Sequence, residues 1–232
     1  MFKLRTRLFG TTFESTFPHP IAFNQPYLAK VGESLSQSLS AAGLTPNQIE
    51  CVTLNVLFGY EIRFPLFRGN ASFSLNSQRL RLDFMNAVGP ADVTTIIDTV
   101  LKCLQPIDLP WGTNHSITVG RQGEFEAPGD FEEFFSPQGT KWQTPAVKQA
   151  GAMLYLRLPE WDEEITLFIE RSVLLPRTGV FVNTRTFFKE RETHLEAAKT
   201  EQPKTVTADT LGRVSEIFDR AANACNLEFL WP

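Results

Sequence analysis

The chain has 232 residues and a formal net charge of −4, with 42% hydrophobic and 21% charged residues. This composition is ordinary for a globular protein that is long enough to bury a core. The negative charge, spread without blocks, argues against general nucleic-acid binding, which depends on basic residues. No stretch approaches the roughly 20 apolar residues of a membrane span. The basic start also lacks the apolar run of a signal peptide. We therefore expect a soluble, cytoplasmic protein.

Aromatic usage is uneven, with 20 Phe against 3 Tyr and 4 Trp. Because Phe carries no polar group, this excess predicts a ring-packed interior or an apolar cavity. The cysteines Cys51, Cys103 and Cys225 are far apart and form no CxxC pair. This spacing is typical of buried, reduced thiols.

The first half predicts a strand, a helix, three strands and a helix. Residues 2–8 alternate apolar and basic, and a helix follows from Pro26 to Gly43. Residues 52–64 keep strict apolar alternation, which predicts one long strand bent at Gly59. A hairpin across residues 76–78 and a helix over residues 90–105 complete this half.

The second half predicts the same order of elements. A strand over residues 116–120 precedes a short Phe-rich helix capped by Asp130. Strands over residues 152–158, 165–174 and 180–187 follow a long loop, and a charged segment separates them from a helix over residues 211–225. The apolar end, Leu227–Pro232, is expected either to fold back as a strand or to dock on a partner chain.

A short motif also recurs between the halves. Residues 62–67, IRFPLF, and residues 156–161, LRLPEW, share an apolar residue, Arg, an apolar residue, Pro and an aromatic residue at corresponding positions. We predict an α+β fold in which helices pack on one face of an antiparallel sheet, built as a tandem duplication of a β-α-β-β-β-α unit. The predicted units are residues 1–110 and 111–232, packed as one pseudo-symmetric domain. The alternative is one α+β domain whose elements merely alternate.

Arginines on predicted strands are the strongest candidates for a binding site. If the repeats pair about a pseudo-twofold axis, Arg63 and Arg157 become equivalent and can face each other across a groove. Two guanidinium groups suit a carboxylate or a phosphate. Tyr60, Tyr155 and Trp161 are predicted at the edge of this site. The alternative is an exposed sheet face with cross-strand ion pairs to Glu61, Asp83 and Glu170.

Catalytic and metal-binding motifs are not found in the sequence. His19, His115 and His194 lack the spacing of metal ligands, and no nucleophile elbow, phosphate loop or dinucleotide fingerprint occurs. We therefore predict neither a metal site nor a cofactor. The enzymatic alternative is a carboxylate base, Glu124 or Glu126, whose pKa is raised in an apolar cavity.

These observations favour a non-catalytic binding protein. The predicted ligand is a small anionic or amphipathic molecule, or a protein partner, held in a groove on the sheet or between the repeats. We expect neither nucleic acid nor membrane as a partner, and we consider a homodimer possible. One alternative is a structural protein that assembles through sheet edges and the apolar C-terminus, and another is the metal-independent enzyme.

Overall fold

A computed structural model describes residues 1–21, 25–43, 50–53, 60–66, 70–86, 90–104, 109, 114–135, 151–156, 164–175, 177–189 and 208–230. These residues form four helices: α1 (Gln25–Ala41), α2 (Pro90–Leu104), α3 (Asp130–Phe134) and α4 (Ala208–Ala224). The strands are β1 (Phe2–Thr16), β2 (Glu50–Thr53), β3 (Tyr60–Leu66), β4 (Ala71–Asn76), β5 (Arg79–Met85), β6 (Asn114–Phe125), β7 (Gly151–Leu156), β8 (Glu164–Arg171), β9 (Gly179–Lys189) and β10 (Leu227–Leu230).

The strands form an antiparallel sheet, and with the helices they confirm the predicted α+β class. The hydrogen-bonded order is β2-β3-β4-β5-β1-β6-β9-β8-β7, and β10 pairs with β1 in parallel. The chain divides into two compact units. Unit 1 contains Met1–Gly10, Thr118–Thr186 and Arg213–Pro232, and unit 2 contains Thr11–Ile117 and Phe187–Gly212. The division into repeats at residue 110 stays a prediction.

Unit 2 has a core of alternating strand residues and helix residues at three- and four-residue spacing. In β3 and β4, Phe64 and Phe73 are fully buried and stack with their ring centroids 5.4 Å apart. Leu35 and Leu39 of α1 are equally buried, as are Ile97 and Val100 of α2. This pattern confirms the amphipathic character predicted for both helices.

Unit 1 has its own core, to which α4 and the C-terminal strand contribute. Ile217 and Phe218 of α4 are fully buried, and Ile165 of β8 packs with Ile217. The ring of Phe229 in β10 meets Phe218 edge-on at 5.4 Å. Of the two expectations for the apolar C-terminus, the structure therefore shows the fold-back for Leu227–Leu230.

The predicted long strand over residues 52–64 is wrong. The register pairs Thr53 with Tyr60 and Cys51 with Ile62, so β2 and β3 are antiparallel neighbours and the chain reverses between Thr53 and Tyr60. The register pairs Val52 with Glu61, so Val52 and Ile62 point to opposite faces although they belong to one apolar alternation in the sequence. A period-two pattern alone does not specify which strand lies alongside, which is why it did not reveal the reversal. Gly59, the predicted bend, lies outside the described residues.

The predicted cap of the Phe-rich helix also needs correction. Asp130 is the first residue of α3, and the N-cap position belongs to Gly129, without a side-chain hydrogen bond to the helix. Gly129 has φ of 94°, a left-handed conformation that glycine adopts at little cost. The backbone conformation, and not a capping carboxylate, therefore begins this helix.

Candidate functional site

The strands of unit 2 carry a row of polar and charged side chains opposite their buried apolar residues. Because side chains alternate along a strand, the register places these residues on one face. We call this set the polar face; its members are Thr12, Glu14, Glu61, Arg63, Ser74, Asn76, Arg79, Arg81 and Asp83.

Ser74 lies at the centre of the polar face, between two arginines. The register pairs Ser74 of β4 with Arg63 of β3 on one side and with Arg81 of β5 on the other. Neighbouring strands are about 4.8 Å apart, so the two arginine backbones lie about 10 Å apart. Ser74 is 9% exposed, whereas the side chains of Arg63 and Arg81 are 45% and 38% exposed. Both long side chains therefore remain open to solvent beside a buried serine.

A buried carboxylate orients Arg63. The Nε of Arg63 donates to Glu61 Oε1, and Asn76 Nδ2 donates to Glu61 Oε2 at 3.2 Å. Glu61 is only 5% exposed. Burial of a charged group requires such partners, because an unpaired carboxylate in the interior is costly. Glu61 thus accepts hydrogen bonds from both Arg63 and Asn76. Its hydrogen bond with Arg63 restricts the orientation of that guanidinium group.

Carboxylates on neighbouring positions orient the other two arginines. Arg81 donates through Nε to Asp83 Oδ2 at 2.7 Å and through Nη2 to Asp83 Oδ1 at 2.8 Å, and Thr12 Oγ1 donates to Asp83 at 2.6 Å. Arg79 Nη1 donates to Glu14 Oε2 at 2.9 Å. The hydrogen bond to Asp83, reinforced by the nearby carboxylates, raises the pKa of Arg81 despite its partial burial.

The polar face contains three guanidinium groups and three carboxylates, so their formal charges cancel. A guanidinium group has five N–H donors, more than the described hydrogen bonds of Arg63, Arg79 or Arg81 use. The face can therefore donate to an oxygen acceptor that approaches from solvent. Its carboxylates disfavour a polyanion at the same time, since like charges would be brought together.

The five side chains predicted for the site are described only in part. Arg63 lies on the polar face of unit 2, whereas Tyr155 of β7 belongs to unit 1 and is 80% exposed. Tyr60 begins β3, but its side chain is outside the described part of the structure, as are Arg157 and Trp161. The pairing of Arg63 with Arg157 therefore stays a prediction.

Sequence reasoning missed the contribution of β1 to this face. The predicted first strand ended near Leu8, but β1 continues to Thr16 and brings Thr12 and Glu14 to Asp83 and Arg79. The available signal was the alternation of Thr12 and Glu14 with buried Phe13. The alternative to a binding site predicted cross-strand ion pairs to Glu61 and Asp83. In the structure Glu61 pairs with Arg63 within β3 and Asp83 pairs with Arg81 within β5.

The carboxylates proposed for an enzyme have a different environment from the one that a base requires. Glu124 Oε2 accepts from Arg7 Nε at 2.9 Å and from Nη2 at 2.6 Å, and Thr178 Oγ1 donates to its other oxygen at 3.1 Å. The hydrogen bonds from Arg7 and Thr178 lower the pKa of Glu124. Glu126 lies 3.7 Å from Arg5. A lowered pKa is the opposite of the shift that the enzymatic alternative expects.

The described histidines and cysteines have structural surroundings. His115 is buried, with Nδ1 3.1 Å from Ser15 Oγ and its ring stacked on Phe13, and His19 is exposed. His194 lies outside the described residues. Cys103 is buried and Cys225 is half-buried, both as free thiols, and burial raises the pKa of each. Within the described ranges, no group of three or more His, Cys, Asp or Glu residues has the geometry to hold a metal ion.

Comparisons with known proteins add no assignment. No model of a known protein family matches the sequence, and no curated protein matches it either. None of the helices in the described part of the chain has the length and apolar character needed to cross a membrane. The physical features of the polar face are therefore the basis for a functional proposal.

Proposed function

We propose that the protein is a non-catalytic binding protein and that the polar face of unit 2 binds a small ligand through an anionic group. The observation that carries this proposal is the row Arg63–Ser74–Arg81, in which two solvent-open arginines flank one buried serine. A carboxylate or phosphate over Ser74 would accept hydrogen bonds from both guanidinium groups.

Prior orientation of the arginines supports this assignment. Glu61 and Asp83 hold the guanidinium groups of Arg63 and Arg81 by hydrogen bonds. Binding then requires less loss of side-chain freedom than it would with unrestrained arginines. The same carboxylates favour a ligand with one compact anionic group over nucleic acid, because a polyanion would be repelled along the rest of the face.

The proposal also includes an origin of the sheet by duplication of one unit. The strand order β3-β4-β5-β1 has the same form as β7-β8-β9-β6, and each set contains the corresponding motif near its first strand. Alignment of the two sequence motifs, IRFPLF and LRLPEW, makes Arg157 the counterpart of Arg63. A second anion-binding position near Arg157 would follow from the duplication, with Tyr155 and Trp161 beside it.

The first experiment is native mass spectrometry of the protein as purified, compared with its denatured mass. Extra mass that is lost on denaturation would indicate a co-purified ligand. Acetate and inorganic phosphate are then titrated into the wild-type protein by calorimetry, as probes that each carry one compact anionic group. Absence of binding by both probes and of any co-purified mass would contradict the proposal.

Two substitutions locate the site. Arg63→Gln and Arg81→Gln remove a charge but keep a donor for Glu61 or Asp83, so we expect little change in melting temperature. Each should weaken probe binding by about tenfold or more, equivalent to ~1.4 kcal/mol. Arg177→Gln, at an exposed position of unit 1 that is not part of the polar face, is the matched control and should bind as the wild type does. Unchanged affinity in R63Q and R81Q would place binding elsewhere, and a large loss of stability would assign both arginines to structure.

A further inference from the structure

Strand β7 presents an edge of the sheet in unit 1. It pairs on one side with β8, in a register that places Leu154 opposite Leu167 and Tyr155 opposite Thr166. Among the described strands, β7 ends the hydrogen-bonded order. The backbone groups on its outer side therefore have the geometry that a further strand could use.

The side chains of β7 are apolar, and those before Leu156 are exposed on both faces of the sheet, whereas Leu156 packs against Ile165 and Ile217. Met153 and Tyr155 are 57% and 80% exposed on one face, and Leu154 is 39% exposed on the other. Residues 151–156 read GAMLYL, without a charged residue or a proline. Edge strands are usually protected by Lys, Pro or a bulge. An unprotected edge with apolar side chains on both faces is typical of a site for strand addition.

The apolar C-terminal segment of the chain is not available to cover this edge. Leu227–Leu230 already pairs with β1, where Leu227 is fully buried and Phe229 is 9% exposed. A docking role for this segment was the competing expectation from the sequence. Because Leu227–Leu230 is buried within unit 1, β7 remains an apolar edge without a second strand among the described residues.

We infer that β7 binds the β7 strand of a second copy of the chain, in an antiparallel pair about a twofold axis through Leu154. Two antiparallel edges related by a twofold axis are self-complementary, because each presents the same groups to the other. Assembly stops at two copies, since each edge strand covers the edge of its partner. The strand is also electrically compatible with itself, since residues 151–156 contain no charge that would face a like charge. This inference is independent of the proposed anion site in unit 2.

The alternation of side chains determines the register of this pair. Residues opposite each other must point to the same face, so the two residue numbers of each pair have an even sum. An axis at Leu154 places Leu154 opposite its own copy, Met153 opposite Tyr155, and Ala152 opposite Leu156. All these pairs are apolar, and Met beside an aromatic ring is a favourable contact. An axis at Met153 would instead leave Tyr155 opposite Gly151.

Sedimentation velocity over about 1–100 µM tests the dimer, because a small interface is expected to have a micromolar Kd. We expect the wild-type protein to dimerise with rising concentration. Leu154→Lys places two like charges across the axis and should give a monomer, with an unchanged circular dichroism spectrum. Tyr155→Lys replaces the most exposed aromatic residue and should weaken the dimer at least tenfold. Val173→Lys is the matched control, because Val173 is 73% exposed outside β7.

A disulfide trap tests the register. Opposed residues in antiparallel strands have Cα atoms about 4.5–5.5 Å apart, which is within the range that a disulfide spans. Leu154→Cys should therefore form a covalent dimer under mild oxidation, whereas Val173→Cys should not. A wild-type protein that stays monomeric at about 100 µM would overturn the inference, as would a dimer that persists in L154K. Efficient cross-linking of Met153→Cys in place of L154C would overturn the register.

Discussion

The guanidinium group of Arg121, on β6, lies over the ring of Phe218 with its carbon 4.3 Å from the ring centroid. It also donates a hydrogen bond from Nη1 to Asp219, the next residue of α4. The side chain of Arg121 is 3% exposed, whereas that of Asp219 is 48% exposed. Burial lowers the pKa of Arg121, and the nearby Asp219 partly offsets this shift. A strand and a helix of unit 1 are thus joined by one buried cation.

Removal of the carboxylate should destabilise the protein more than removal of the cation. Asp219→Ala leaves the buried guanidinium without this partner, and we expect a loss of about 1–2 kcal/mol in the free energy of unfolding. Arg121→Met keeps an apolar chain against Phe218 and removes the buried charge, so its effect should be smaller. Urea denaturation of both variants measures the difference.

The double variant R121M/D219A is the control for this pair. If the cost of D219A arises from the buried charge, adding R121M should recover part of the lost stability. A double variant that is less stable than D219A alone would show that the packing of Arg121 on Phe218 outweighs the cost of its burial.

Gly123 allows the C-terminal strand to approach β6 closely. A Cβ atom at this position would lie 2.8 Å from Phe229 Cε1 and 2.9 Å from Leu4 Cβ. Gly123→Ala should therefore lower stability by about 1–3 kcal/mol through overpacking. Thermal denaturation of this variant tests the prediction.

Gly212 provides the matched control. It lies within α4, and a Cβ atom there would meet no heavy atom within 4 Å apart from its chain neighbours and the backbone of its own helix. Gly212→Ala should raise stability by up to about 1 kcal/mol, because alanine favours the helix more than glycine does. Equal effects of the two substitutions would refute a steric role for Gly123.

The ion pair of Arg7 with Glu124 predicts a defined pH dependence of stability. The pKa of Glu124 is lowered in the folded chain, so the stabilisation is present above the ordinary glutamate pKa of about 4.3 and is lost as pH falls through the folded value. Arg7→Met removes the principal cause of the lowered pKa of Glu124. The stability difference between wild type and R7M should be largest above about pH 5 and should shrink in acid.

Denaturation at a series of pH values measures this difference. Arg5→Met is the control, because Arg5 lies 3.7 Å from Glu126, a longer separation than the 2.6 Å between Arg7 and Glu124. Its effect on stability should be smaller at every pH. A difference between wild type and R7M that does not change with pH would exclude the ion pair as its source.

Buried threonines on β9 offer a route to a more stable protein. The hydroxyl groups of Thr184 and Thr186 have no hydrogen-bond partner within the described residues, and both side chains are fully buried. Valine has nearly the same shape without the polar atom. Thr184→Val should therefore raise the free energy of unfolding by about 1 kcal/mol.

Thr178→Val is the corresponding control, since Thr178 Oγ1 donates to Glu124. That substitution removes a hydrogen bond and should lower stability slightly. Chemical denaturation of both variants distinguishes the two cases. A loss of stability in T184V would indicate that its hydroxyl group contributes a favourable interaction in the folded protein.

Local patterns predicted many of the described elements. Three- and four-residue apolar spacing identified α2 and α4, and alternation across residues 76–78 identified the hairpin of β4 and β5. In that hairpin, Asn76 Oδ1 accepts from the backbone N–H groups of Gln78 and Arg79. Such features depend on neighbours in sequence, so the amino-acid order alone is sufficient to predict them.

Of the arginines on the polar face, Arg63 was predicted as an anion ligand, together with Arg157 through an assumed repeat, whereas the part of Arg81 in the site was not predicted. Only strand pairing places Arg63 and Arg81 on either side of Ser74, and only the extended β1 brings Glu14 to Arg79. A period-two pattern specifies which face a side chain occupies but not which strand lies beside it. The hairpin of β2 and β3 was missed for the same reason.

The sequence by itself determined the α+β class, the amphipathic helices and the apolar alternation of the strands, because each depends on spacing along the chain. Tertiary structure alone decided that Leu227–Leu230 pairs with β1, that carboxylates orient the arginines of the polar face, and that β7 lies at an edge among the described strands. These relationships join residues distant in sequence. Their partners are selected by packing and hydrogen bonding in the whole fold, which no local pattern contains.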